Sequence, residues 1–387
     1  MINAPRRTPV KLLMLAAMTF VAAMALAACG SGGLGEESNN GEVTTATGGS
    51  VEAGSKLTIA DWPLFIDPKT IADFRQETGI DTTYNEEIND TNEFFGKLQP
   101  LLRNGNSGGR DIINLPDWMS KKMYDLGYIQ NLDKDKLKTV DENMIESLKS
   151  PAFDPERAYS VPWQSGMSGI VVRKDLAPDI KSVNDMFDPK YKGKVTMLAE
   201  LRDTVPLVMT ADGVDPDEAT TEDWMAAIDK LQENVDNGQI RRFTGNDFVQ
   251  DLVKGDVVAA LGWSGDTVQV QTDNPNIEYV QPTEGCSIWS DNLMIPVGAE
   301  NPEAAYKYMN YVYEPENQAQ IAKWVNYVSP VKGVKEILQK EDPEIANNEL
   351  IFPSEEFTAN CFAEISPPGG EAQSKEVEQA FQDLITG

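Results

Sequence analysis

Five short apolar runs in this chain are bordered by acids, flat aromatics or both. Asp61-Trp62 follows the first, with Phe65 close behind, and Asp117-Trp118 follows another. Glu200 and Asp203 come after Thr196-Met197-Leu198, and Trp263 with Asp266 comes after Ala259 to Gly262. Trp289 and Asp291 precede Leu293-Met294-Ile295. These places hold four of the seven tryptophans. Each alone is commonplace, because a Trp beside a turn usually packs into a core and a loop acid is usually solvated. As a recurring pattern they suit an elongated organic cation. Carboxylates accept charge-assisted hydrogen bonds from ammonium groups. Trp and Tyr faces cover methylenes and attract the charge, at ~0.5–2 kcal/mol per contact. A polycation cannot leave water without such acids. The chain has no His, which removes His-based triads, His general bases and most zinc sites. No metal, cofactor or catalytic residue is expected. A carboxylate pair, Glu200 with Asp203 or Asp291, keeps an exported hydrolase as an alternative.

The elements that carry these residues alternate. Strands are expected at Leu57 to Ala60, Asp81 to Tyr84, Asp111 to Leu115, Gly169 to Val172, Lys194 to Leu198, Asp256 to Gly262 and Leu293 to Ile295. Helices are expected at Pro68 to Thr78, Asn92 to Arg103, Ser120 to Leu126, Thr221 to Val235, Asn301 to Tyr313, Pro315 to Val325 and Lys375 to Leu384, from apolar spacing and Pro/Gly punctuation. Strand-helix alternation predicts an α/β fold with mostly parallel sheets. Two such sets predict two lobes. Sites in these folds lie beyond the carboxyl ends of strands, where the acids and aromatics fall. Trp224 and Trp324 lie within helices and read as packing.

The chain has 387 residues and a net charge of −29. That balance argues against nucleic acid, whose phosphates need a basic face, and agrees with a cationic partner. Met1 to Lys11 is basic without acids, Leu12 to Ala25 is apolar apart from Thr19, and Leu26-Ala27-Ala28-Cys29 follows. This reads as an export signal over 1–28, its apolar run short of the ~20 residues of a membrane span. Residues 30–55 are Gly-, Ser-, Thr-, Asn- and Glu-rich and read as a flexible tether. With Cys29 set apart, Cys286 and Cys361 are an even pair. In an exported protein they suggest a disulfide; two buried free thiols are the alternative.

Longer stretches of text resemble a known family. They include Asp61-Trp62 with Phe65, Phe74 to Gly79, Asn92-Glu93, Asp111 to Asp117, Tyr159 to Trp163, Phe187 to Val195, Gly262 to Asp266, Glu284-Gly285 and Trp289 to Pro296. In this order and spacing they resemble the spermidine/putrescine-binding proteins of bacterial ABC transporters. Leu26 to Cys29 resembles the bacterial lipobox, which implies lipidation at Cys29 and a tether beginning there. The resemblance implies a two-lobed periplasmic-binding fold with ligand in the cleft. Lobe 1 is 56–165 with 291–332, and lobe 2 is 166–290 with 333–387. It implies ligand contacts at Trp62, Phe65, Asp117, Trp118, Glu200, Asp203, Trp263, Trp289, Asp291 and Tyr327. Phe65 stands where the family has Tyr, and Asp117 where it commonly has Ser. Trp163 is assigned to the hinge or cleft mouth, and Arg202 to orienting the acids near it. The family's polar residue near the C-terminus has no match in this text. The resemblance further implies a monomeric receptor on the outer face of the membrane that delivers a polyamine to a permease and its ATPase. A receptor for another amine, an amino acid or a sugar is the alternative on the same fold.

Overall fold

The computed structural model describes residues 55–387. The expected signal segment 1–28, Cys29 and the tether up to residue 54 lie outside the described residues.

Ten strands form one twisted sheet. They are β1 (Lys56–Asp61), β2 (Asp81–Glu86), β3 (Ile112–Pro116), β4 (Val161–Arg173), β5 (Val195–Leu198), β6 (Ile240–Thr244), β7 (Ala259–Trp263), β8 (Ile277–Val280), β9 (Ser287–Met294) and β10 (Phe362–Ala363). The spatial order is β2-β1-β3-β9-β4-β7-β5-β6, with β8 on β4 and β10 on β9. The two ends of this row are parallel: β1 pairs with β2 and β3, and β5 pairs with β6 and β7. β4 and β9 run antiparallel to each other and join the halves. The α/β architecture expected from the alternation is found; the sheet is parallel at its two ends, as expected, and antiparallel where β4 and β9 pair with each other and with β3, β7 and β8.

Local chemistry explains the elements that were anticipated. Asp67 caps the helix Pro68–Thr78 by accepting from the Lys69 N–H, and Pro68 supplies the preset first turn. The helix Thr221–Asp236 is opened by a capping box of Thr220 and Asp223, one residue before the expected start. The elements not anticipated have weaker local signals. The helix Leu201–Ala211 contains Pro206, which reads as a helix breaker, and is buried from Leu201 to Met209, the polar Arg202, Asp203 and Thr204 included. β6 carries Arg241 and Arg242 in an edge strand. β4 was expected only at Gly169 to Val172; its first half runs through Gln164, Ser165 and Gly166, with a register shift against β9 between Pro162 and Ser165.

Cys286 and Cys361 form a disulfide. Next to it the Phe362 N–H donates to the Cys286 carbonyl at 2.9 Å and the Glu364 N–H to the Ile288 carbonyl at 2.8 Å. The C-terminal segment is thereby laid along β9. Trp163, expected at the hinge or cleft mouth, is wholly buried in β4. Among the described residues no helix is long and apolar enough to cross a membrane.

Candidate functional site

One cavity gathers the ends of these strands. It holds about 510 Å3 of atom-free space, its open mouth included. The loop after β1 supplies Trp62, Pro63 and Phe65. Pro116 ends β3, and Trp118 follows one residue into the helix Asp117–Asp125. Thr91 opens the helix Thr91–Leu102. The opposite wall is built from the ends of β5 and β7. Glu200 precedes the helix Leu201–Ala211 and Asp203 stands in its first turn. Trp263 ends β7, and Asp266 stands in the first turn of the helix Ser264–Gln271. Asn246 lies beyond β6, Trp289 and Asp291 come from β9, and Tyr327 and Glu364 complete the lining.

The rings meet edge-on or steeply tilted. Trp62 meets Trp263 edge-on with centroids 6.4 Å apart, and Phe65 meets Tyr327 edge-on at 5.2 Å. Trp289 and Tyr327 are 5.3 Å apart. Two glycines make this possible: a Cβ on Gly166 would stand 2.4 Å from the Trp289 ring, and one on Gly265 would stand 2.4 Å from the Tyr327 ring.

Five carboxylates line the cavity and no Lys or Arg does. Three have partners. Asp203 accepts from Ser168 Oγ at 2.5 Å and Trp263 Nε1 at 3.2 Å. Asp266 accepts from Asn246 Nδ2 at 2.8 Å, and Glu200 Oε1 accepts from the Thr91 N–H at 2.8 Å. Asp203 and Asp266 are each in the first turn of a helix, where the dipole favours negative charge. No described residue donates a hydrogen bond to the side chain of Asp291 or Glu364. Burial pushes Asp203 and Asp266 up to about 6. Burial, then the charges of Asp90 and Asp203, pushes Glu200 up to about 8. Asp291 is raised well above the carboxylate range by burial and by Asp61, Asp117, Glu200 and Asp203. Glu364 is raised in the same way, by burial first and then by Asp203. Such a cluster is short of positive charge, and a cation inside it gains from every acid.

Nine of the ten expected contact residues line this one cavity; Asp117 does not. Its carboxylate turns to Asn292 Nδ2 at 2.6 Å. Asp61 is buried behind Trp62, where its Oδ1 accepts from the Trp62 N–H and from Asn114 Nδ2, both at 2.8 Å. Arg202 does not orient the acids beside it. Its guanidinium donates to Ser366 Oγ at 3.0 Å and Glu378 Oε1 at 2.8 Å, and lies 3.7 Å from the centre of the Trp118 ring. The sequence reading missed Thr91, Asn246 and Glu364, and left Asp266 out of the contact set. Asp266 had a signal in its place beside Trp263. Asn246 had none, yet its Oδ1 is buried without a partner at the cavity wall.

A family model of bacterial extracellular solute-binding proteins matches residues 69–353. The chain belongs to that family. This solute-binding protein is 28% identical over 308 residues to the spermidine/putrescine-binding periplasmic protein of Escherichia coli strain K12, covering 79% of this chain and 85% of that one. It is 27% identical over 341 residues to a putrescine/agmatine-binding protein of Pseudomonas aeruginosa, covering 82% and 89%. A solved chain assigned to a spermidine/putrescine ABC transporter of Listeria monocytogenes superposes with a TM-score of 0.75 at 26% identity, over 86% of this chain and 99% of that one. A lipoprotein of Treponema pallidum has the same fold, with a TM-score of 0.71 at 18% identity over 86% and 99%. The expected family resemblance and the periplasmic-binding fold are both found. The hydrolase alternative is overturned, since the relatives are solute-binding proteins and not enzymes.

Proposed function

We propose that this solute-binding protein is a receptor for a polyamine of the spermidine or putrescine class, held in the cavity between two lobes. One observation carries the reading: five carboxylates and six aromatic rings share a cavity lining without a basic residue. An amino acid or a sugar acid would need a cation for its carboxylate, and a neutral sugar would leave buried acids unpaired. The names of the relatives above point the same way. The lobes are 56–165 with 291–332 and 166–290 with 333–387, so β4 and β9 are the crossovers about which they close. Ligand contacts are assigned to the nine cavity residues of the expected set, with Asp291 gripping an ammonium group. Asn246 Oδ1 and Glu364 are added as acceptors. Lipidation at Cys29 tethers the receptor outside the membrane, and a permease with its ATPase takes the solute from the closed form.

Calorimetry and melting shifts with spermidine, putrescine, spermine, arginine and glucose test this. Saturable heat and a raised Tm are expected with the polyamines, and none with glucose. A protein that ignores every polyamine at millimolar concentration, or that responds to glucose instead, refutes the ligand.

A further inference from the structure

Asn292 follows Asp291 in β9 and is wholly buried. Successive side chains of a strand leave on opposite faces, so Asn292 turns away from the cavity that Asp291 lines. Its amide is used at both ends. Nδ2 donates to Asp117 Oδ1 at 2.6 Å, and Oδ1 accepts from Arg157 Nη1 at 2.8 Å. An amide can stand between an acid and a cation in this way; a carboxylate or an apolar side chain of that size cannot. On one side, Asp117 opens the helix Asp117–Asp125, whose start Pro116 leaves without a side-chain cap. Trp118, the next residue, lines the cavity. Burial pushes the Asp117 carboxyl up to about 6, against the pull of the Asn292 hydrogen bond and the Arg157 charge. On the other side, Arg157 is 3% exposed and has a φ of 49°. A bulky residue is held in the left-handed region only where its surroundings over-determine it. Arg157 Nε donates to the Leu148 carbonyl at 2.8 Å and Nη1 to Ser160 Oγ at 2.9 Å. Ser160 Oγ donates in turn to Asp154 Oδ2 at 2.8 Å, and Asp154 also accepts from the N–H groups of Ala158, Tyr159 and Ser160.

We propose that Arg157, Asn292 and Asp117 form a positioning relay for the ligand cavity, in which the strained loop aims the guanidinium, the amide holds it to β9, and the Asp117 carboxylate sets the helix turn that presents Trp118. This rests on the receptor reading above. None of the three lines the cavity, so each acts through a residue that does. The pairing of β3 with β9 places Pro116 opposite Asp291, and that ladder ends there. Ser120 Oγ donates to the Pro116 carbonyl at 2.9 Å, which ties the turn to its own strand. The Asp117–Asn292 bond ties the same turn to β9, beside Asp291. Losing that bond lets the Trp118 ring shift while the ladder keeps Asp291 in place. The share of affinity that falls is therefore the one Trp118 supplies.

The experiment uses purified protein with spermidine as probe. Affinity by calorimetry and the Tm of the empty protein are measured for each variant. Asn292→Ala is expected to bind at least about fivefold more weakly, the scale of a lost hydrogen bond to a charged group. Asp117→Ala is expected to do the same. Asp117→Asn keeps an acceptor oxygen for Asn292 and should stay within about threefold of wild type. Two double-mutant cycles decide between positioning and mere stability. Trp118→Ala should cost at least about threefold less affinity in Asn292→Ala than in wild type, because the ring is already displaced. Trp263→Ala, on the opposite wall, should cost the same in both. A lowered Tm with additive cycles would leave Asn292 a stabilising residue and overturn the relay. Coupling to Trp263 as large as to Trp118, or Asp117→Asn as damaging as Asp117→Ala, would overturn it too. If Asn292→Ala fails to fold, the Trp118 cycle is run on Asp117→Ala, and additivity there overturns the proposal. A wild type that binds while every relay variant matches it overturns the relay alone. A wild type that binds no polyamine overturns the receptor reading, and the relay with it.

Discussion

Asp291 is 5% exposed in β9 and has no hydrogen-bond donor among the described residues. A carboxylate in that position is held at the expense of folding and is satisfied by a bound ammonium. Asp291→Asn is therefore expected to weaken polyamine binding by at least about 30-fold, roughly 2 kcal/mol. The Tm of its empty form should stay level or rise, because a buried carboxyl that must hold a proton to stay folded is gone. Calorimetry beside a thermal melt checks both; a collapse of Tm would make Asp291 structural. Asp117 is the contrast. Neighbours in a helix point about 100° apart, so Trp118 reaches the cavity while Asp117 meets Asn292. Asn292 in turn accepts from Arg157 Nη1 at 2.8 Å. Asp117→Asn should change affinity less than about threefold, the ordinary scale away from direct contacts. The sequence signals at Asp117 were its place beside a Trp after a strand and the family resemblance, and neither says anything about direction.

At the scale of elements, the site is a set of strand ends followed by helix starts, with one late addition. Glu364 reaches the cavity because β10 pairs with β9 beside the disulfide. Replacing Cys286 and Cys361 together by Ser frees that segment. The expected loss is ~2–4 kcal/mol for a loop of this size, a fall in Tm of about 3–6 °C. Polyamine binding should weaken in the same variant, since Glu364 is no longer positioned. An unchanged affinity with a lowered Tm would limit the bridge to a stabilising role. The disulfide itself was anticipated from an even cysteine pair in an exported chain. Its consequence for Glu364 was not, because a two-residue strand has no periodicity to read.

For the whole molecule, the raised acids couple stability to pH. Glu200 at about 8 and Asp203 and Asp266 at about 6 hold protons in the folded state that the unfolded chain releases near pH 4. Between about pH 4 and 8 the folded state thus binds more protons, and stability falls as pH rises. The Tm of the empty protein should drop from pH 5 to pH 8. Bound polyamine favours the ionised acids, so binding releases protons and affinity rises across the same window. Binding enthalpies in phosphate and Tris buffers at pH 7 should then differ. Equal enthalpies in the two buffers would show that the acids are already ionised in the empty cavity.

Much of this was in the linear text. Pro68, Gly79 and the apolar spacing between them determined a helix, since φ limits and caps act within a few residues. Acids and aromatics at strand ends, in a strongly acidic chain without His, determined the class of chemistry, because charge and hydrogen-bonding capacity belong to residue types. Convergence was decided only by the tertiary structure. Arg202 binds Glu378 across 176 positions, Glu200 crosses to Thr91, and Asn246 turns an unpaired oxygen to the cavity. Direction and long-range partnership come from the packing of the whole sheet, and local sequence does not encode them.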